Sequence, residues 1–205
     1  MRVLAIDSSG LTATVAIVED DTTIAEFTIN YKKTHSQTLL PMIDEMVKMV
    51  EADLNTIDAI AVAGGPGSFT GLRIGSATAK GLGLALGKPL IHIPTADPIM
   101  DARRNQVYTG IYSFVPKKES EDSEHGQMKY AFQVIRVQMA VSVEDLIRRL
   151  NIYGRRVVFL GDGVPVYRKM LEKGLKVPYF FAPSYLNRQR AAVVGALGIR
   201  YFKMG

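Results

Sequence analysis

The stretch Gly64-Gly65-Pro66-Gly67-Ser68-Phe69-Thr70-Gly71-Leu72-Arg73-Ile74-Gly75 constrains the fold of this chain more than any other. It follows an apolar run, 59–63, and leads into a segment of helical periodicity. Strand, glycine-rich turn and helix in that order belong to α/β architectures. Such a turn can aim backbone N–H groups and the positive end of a helix at an anion. It can equally let a glycine-rich helix pack closely, with no ligand involved. A phosphate-transfer loop is excluded, because Gly71 is followed by Leu72 and Arg73 where Lys and Ser or Thr are needed. A dinucleotide fingerprint is excluded as well: Gly65-Pro66-Gly67-Ser68-Phe69-Thr70 misses the last glycine by one position.

At 205 residues the chain is long enough for one large domain or two small ones. Its 47% hydrophobic and 22% charged residues are ordinary globular composition. No run of 18 apolar residues and no basic-apolar leader is present, so a soluble, unexported, cytoplasmic protein with no membrane contact is expected. The absence of cysteine removes disulfides, thiolate metal sites and cysteine nucleophiles. The net charge of +5 comes partly from pairs such as Arg103-Arg104, Arg148-Arg149 and Arg155-Arg156. That is compatible with an RNA or nucleotide partner and equally with a solvated surface.

A short apolar run, 2–7, and apolar alternation over 12–18 and 23–30 predict three strands joined by short turns into an antiparallel meander. A helix over 36–51, the strand 59–63, a helix over 72–86 and the strand 90–93 follow. The second half opens with a hairpin, 98–102 and 107–115, around Arg103-Arg104-Asn105-Gln106, then a polar loop over 116–127. The strand 130–139 changes apolar phase between Val134 and Ile135, which predicts a bulge. Ser142-Val143-Glu144-Asp145 reads as a capping box opening a helix to Leu150. A strand over 156–160, a short helix from Pro165 to Leu171 and a last helix from Asn187 complete the pattern. The halves, 1–95 and 96–205, echo one another, so a pseudo-duplicated α/β fold with a mixed sheet in each half is expected.

The N-terminal Val3-Leu4-Ala5-Ile6-Asp7-Ser8-Ser9 hairpin and this layout resemble the actin-like ATPase superfamily, with its RNase H-like subdomains. Three segments narrow the resemblance: Thr34 to Ile43, Gly65 to Gly75, and Met100 to Tyr108. Together they resemble the bacterial TsaB (YeaZ) family over roughly residues 1–200. The resemblance implies a partner protein in forming N6-threonylcarbamoyladenosine beside the tRNA anticodon. Its implied associates are the catalytic paralogue TsaD and the ATPase TsaE, with tRNA reached indirectly through the complex. The family is often mislabelled a glycoprotease.

The resemblance further implies that the active paralogue holds a metal through two histidines at i and i+4 of its first helix. Here His35 is followed at that spacing by Leu39, and His92 and His125 stand elsewhere. One imidazole is not a metal site, and His35 reads better as a hydrogen-bonding residue at a helix start. No metal, no cofactor and no catalytic residue are therefore expected. Asp7, Ser8 and Ser9 match the superfamily's first phosphate hairpin, and Gly161, Asp162 and Gly163 resemble its adenosine-side turn. They are read as a vestigial nucleotide site. The second phosphate turn, Asp101-Ala102-Arg103-Arg104, has no glycine, and a Cβ disfavours the positive φ of such turns by roughly 1 kcal/mol per residue. An autonomous actin-like small-molecule kinase is the alternative function. A direct tRNA-binding module rests on the charge alone.

From Leu39 to Val50 the apolar positions cover about half the helix circumference, more than one buried face needs. Met42, Met46 and Met49 share an edge of that arc, and methionine adapts to more than one surface. Gly71, Gly75, Ala79 and Gly83 form a four-residue ridge of small side chains. Both features can be internal core. The resemblance instead implies that these helices carry self-association and docking of the catalytic paralogue. The expected shared surface comprises His35, Leu39, Met42, Ile43, Met46, Val47, Met49, Val50, Gly71, Arg73, Gly75, Ala79 and Gly83. Homodimer and heterodimer would compete for it.

Overall fold

The computed structural model describes residues 1–31, 34–95, 99–116 and 130–204. Two compact units emerge, residues 1–95 together with 182–205, and residues 96–181. The expected second half, 96–205, thus loses its last helix to the first unit. Most of the polar loop read over 116–127, with His125, and the start of the second half at 96–98 lie outside the described residues.

In the first unit β1 (Arg2–Asp7), β2 (Ala13–Glu19) and β3 (Thr22–Ile29) form the expected meander. Helix α1 (His35–Met49) leads to β4 (Ala59–Ala63), and α2 (Phe69–Leu86) to β5 (Leu90–Ile93). The sheet order is β3-β2-β1-β4-β5, with β4 and β5 running parallel to β1. Central strands covered on both faces read as continuous apolar runs, as β1 and β4 do. One face presents Leu4, Ile6, Val15, Ile17, Ile60 and Val62 to α1 and α2. The opposite face is lined by small residues, Ala5, Ala16, Ala59, Ala61 and Ala63, and it carries α5 (Ala191–Met204). There Gly195 and Gly198 lie so close to Val18 and Ala61 that a side chain at either position would collide with them. This helix starts at Ala191 rather than Asn187, after a 3-10 turn, and Arg190 holds Glu26 at 2.7 Å.

The second unit contains β6 (Met100–Asp101), β7 (Gln106–Pro116) and β8 (Tyr130–Ser142) as an antiparallel sheet. Next come α3 (Val143–Tyr153), β9 (Val157–Phe159), α4 (Val164–Gly174) and β10 (Tyr179–Phe181). Among the described residues β10 pairs only with β9, in parallel, so the second unit is divided between two sheets. Ile111 faces Arg136 while Tyr112 faces Val134, which leaves Ile135 as the extra residue of the bulge. Ser142 caps α3 by accepting the Asp145 N–H at 3.1 Å. Among the described residues no helix is long and apolar enough to cross a membrane.

Candidate functional site

The glycine loop closes over the first hairpin. Ser68, the N-cap of α2, accepts the Gly71 N–H on its hydroxyl and donates its own N–H to the Ser9 carbonyl at 2.6 Å. The Ser8 hydroxyl donates to the Gly71 carbonyl at 2.9 Å. A Cβ at Gly67 would overlap the Ser9 backbone, one at Gly71 the Ser8 carbonyl, and one at Gly75 the Ser8 hydroxyl. Asp7 accepts both the backbone N–H and the hydroxyl of Ser9, at 2.8 and 2.6 Å, and Asp7, Ser8 and Ser9 are all buried. Of the two meanings the sequence leaves open for this loop, the geometry matches close packing. His35 sits at the start of α1 with Nε2 3.0 Å from the Gly10 carbonyl, the hydrogen-bonding role expected of it. His92 lies on β5 with its ring over Gly64, where a Cβ would fall within the ring.

In the second unit Gly161, Asp162 and Gly163 are buried against the entry to β6. Gly161 has φ +118° and abuts the Ile99 carbonyl, the Gly163 N–H donates to that carbonyl, and Asp162 accepts the Asp101 N–H at 3.2 Å. The adjacent turn corrects an expectation. Despite lacking glycine, Arg103, Arg104 and Asn105 all take positive φ, at 66°, 51° and 58°. The neighbours over-determine the conformation. Asp101 accepts the Arg103 N–H at 2.8 Å, Gln106 donates its N–H to the Arg103 carbonyl, and Val143 donates to that of Asn105.

Tyr167 anchors Asp101 from α4, donating its hydroxyl at 2.7 Å. Burial, then this hydrogen bond and the Asp101 charge, push the phenol up to about 12, against a smaller pull from Arg103. A phenol whose folded value exceeds the unfolded value of about 10 stabilises the fold fully below pH 10 and loses that contribution as pH rises toward 12. Tyr167→Phe is expected to cost about 2 kcal/mol at pH 8. Its stability deficit against the parent chain, measured by urea unfolding, should shrink between pH 10 and pH 12.

The α1 and α2 faces need the larger correction. Leu39, Met42, Ile43, Met46, Gly71, Gly75, Ala79 and Gly83 are buried within the chain, and His35, Val47 and Val50 are half-buried. Of the expected surface only Met49 and Arg73 are exposed. Most of the apolar arc of α1 has an internal cause, because the helix packs on β2 and on α2 at once, while Leu40 and Met49 stay exposed. The ridge of α2 points inward, so the opposite stripe points out. It runs through Phe69, Arg73, Ala77, Lys80 and Leu84, with Leu84 88% exposed. The Arg73 guanidinium stacks 3.8 Å above the Phe69 ring, beside a shallow groove that continues along Ser76, Ala77 and Lys80. Four-residue spacing of the small side chains marks the inner face, and hence this outer one, in the sequence itself.

The chain is 31% identical to the tRNA threonylcarbamoyladenosine biosynthesis protein TsaB of Bacillus subtilis, over 97% of this chain and 87% of that relative. It belongs to the TsaB family. The TsaB of Haemophilus influenzae is also 31% identical, over 95% of this chain and 86% of its own length. The family model for TsaD, tRNA N6-adenosine threonylcarbamoyltransferase, matches residues 22–97, from β3 past β5. In fold the chain resembles a Pseudomonas aeruginosa protein described as similar to the peptidase YeaZ, with a TM-score of 0.72 at 22% identity. That likeness covers 98% of this chain and 92% of the other. Curated members of the TsaB family carry the name of biosynthesis proteins, not of peptidases.

Proposed function

We propose that this chain is a non-catalytic subunit of tRNA threonylcarbamoyladenosine formation, acting in the cytoplasm by docking onto and activating a TsaD-type transferase, with TsaE as third component. One observation carries the non-catalytic reading. His35 is engaged with the Gly10 carbonyl, and the position four residues on is Leu39, a fully packed core side chain. A histidine pair spaced for a metal has no place on this helix face. The outward stripe of α2 supports docking, because exposed Phe69 with stacked Arg73 supplies aromatic and arginine anchors of the kind that carry interfaces, and exposed Leu84 extends the apolar surface. The isolated chain pairs with itself through the same stripe, so self-association and transferase binding exclude one another. Asp7, Ser8, Ser9 and the 161–163 turn are structural in this reading.

The test is reconstitution of the modification with the transferase, the ATPase, threonylcarbamoyl-adenylate and unmodified tRNA. Product formation is expected to depend on adding this chain. Full activity without it would overturn the proposal.

A further inference from the structure

We infer that one end of the second unit is a contact site for the phosphate backbone of tRNA. Helices α3 and α4 end side by side there. Asn151 donates its side-chain amide to the Gly174 carbonyl at 2.9 Å and accepts the Lys176 N–H at 2.7 Å. Strands β9 and β10 begin at the same place, with Val157 opposite Tyr179 and the Val157 N–H donating to the Pro178 carbonyl. These constraints converge Arg155, Arg156, Lys173 and Lys176, all of them exposed.

The carboxylates of the two helices are committed elsewhere. Asp145 is held by Arg148 and Arg149, Glu172 by Arg168, and Glu144 stands in the first turn of α3, at the far end of the helix. The four cations therefore face solvent without neutralisation by these groups. Beside them the Arg156 guanidinium lies 5.8 Å from the centre of the Phe180 ring, which is 56% exposed and sits opposite an exposed Val158. Cations to track a phosphate backbone and a ring on which a base can stack are the two components of sequence-tolerant RNA binding. A favourable interaction with the α4 dipole accounts for Lys173 in the last turn. It does not account for Arg155 and Arg156, which lead into β9, or for the exposed ring. The inference rests on membership of a tRNA-modification family and not on the transferase-partner role.

The experiment is fluorescence anisotropy of a labelled unmodified tRNA transcript with the full chain, repeated over a range of salt. Arg156→Glu/Lys176→Glu should weaken binding by about tenfold or more and flatten the log–log salt slope by about 2. Phe180→Ala should weaken binding while leaving that slope in place. The first-unit pair Lys48→Glu/Arg200→Glu, which changes net charge equally, should have less than about a twofold effect. Circular dichroism checks the fold, and Arg156→Gln/Lys176→Gln gives the same reading if charge reversal destabilises it. Unchanged tRNA affinity and slope in the Arg156/Lys176 variants, or an equal loss in the first-unit pair, would overturn the inference. So would normal tRNA binding combined with loss of transferase or ATPase capture, since the patch would then recognise an acidic protein. Because tRNA binding is read on this chain alone, failure of the partner role in reconstitution leaves the result interpretable.

Discussion

Gly71→Ala is expected to destabilise the chain by about 3 kcal/mol or more, a large fraction of the roughly 5–15 kcal/mol that hold an ordinary domain together. The added methyl meets the Ser8 carbonyl, which is backbone and cannot rotate aside. Relief would require moving the Asp7-Ser8-Ser9 turn, and that turn is pinned by the Asp7 carboxylate and by the Ser68 N–H on the Ser9 carbonyl. The same substitution at Gly81, on the same helix, meets nothing within 4 Å. There alanine should stabilise by about 0.5–1 kcal/mol, because it restricts the unfolded chain and favours helix. Urea unfolding of the two variants isolates the close approach from helix propensity. Equal midpoints for Gly71→Ala and Gly81→Ala would remove the packing role assigned to the glycine loop.

The first unit was largely legible because its signals are local. A short apolar run places β1, alternation places β2 and β3, the apolar run 59–63 is β4 residue for residue, and 90–93 is β5. What local patterns do not encode is which sheet a distant helix covers. Helix α5 joins the first unit because one face of that sheet is paved with alanine, and Gly195 and Gly198 let the helix come down upon it. The complementarity becomes a signal only when residues far apart in the sequence, such as Ala61 and Gly198, are compared. The apolar arc on α1 does not by itself mark an interface, for a related reason. Periodicity measures how much of a helix is apolar and not whether the neighbour is internal, and here internal neighbours cover Leu39, Met42, Ile43 and Met46 while Leu40 and Met49 stay exposed. The turn at Arg103 to Asn105 shows a third limit. Residue type argues against positive φ, yet hydrogen bonds from Asp101, Gln106 and Val143 hold it. The basic end of the second unit was invisible for want of topology, since Arg156, Lys176 and Phe180 meet only through the pairing of β9 with β10 and the Asn151 link.

Met46→Glu is expected to abolish cooperative folding, while Leu84→Glu leaves the fold intact and removes association. Met46 is 0% exposed among Leu39, Ile43, Ile17 and Ile60, with no described cation in that cluster. A carboxylate there either stays charged without a partner or takes up a proton and still lacks hydrogen bonds. Either way the cost is several kcal/mol, added to the lost packing. Leu84 stands on the outward stripe of α2, so a carboxylate at that position remains hydrated and costs the monomer less than about 0.5 kcal/mol. Within an interface the same group would be buried against apolar surface, and both self-association and transferase capture should fall together. Circular dichroism with analytical ultracentrifugation of both variants, followed by capture on the immobilised transferase, makes the comparison. A folded Met46→Glu would contradict the core position of the α1 methionines. A Leu84→Glu chain that still dimerises and still captures the transferase would move the docking surface off α2.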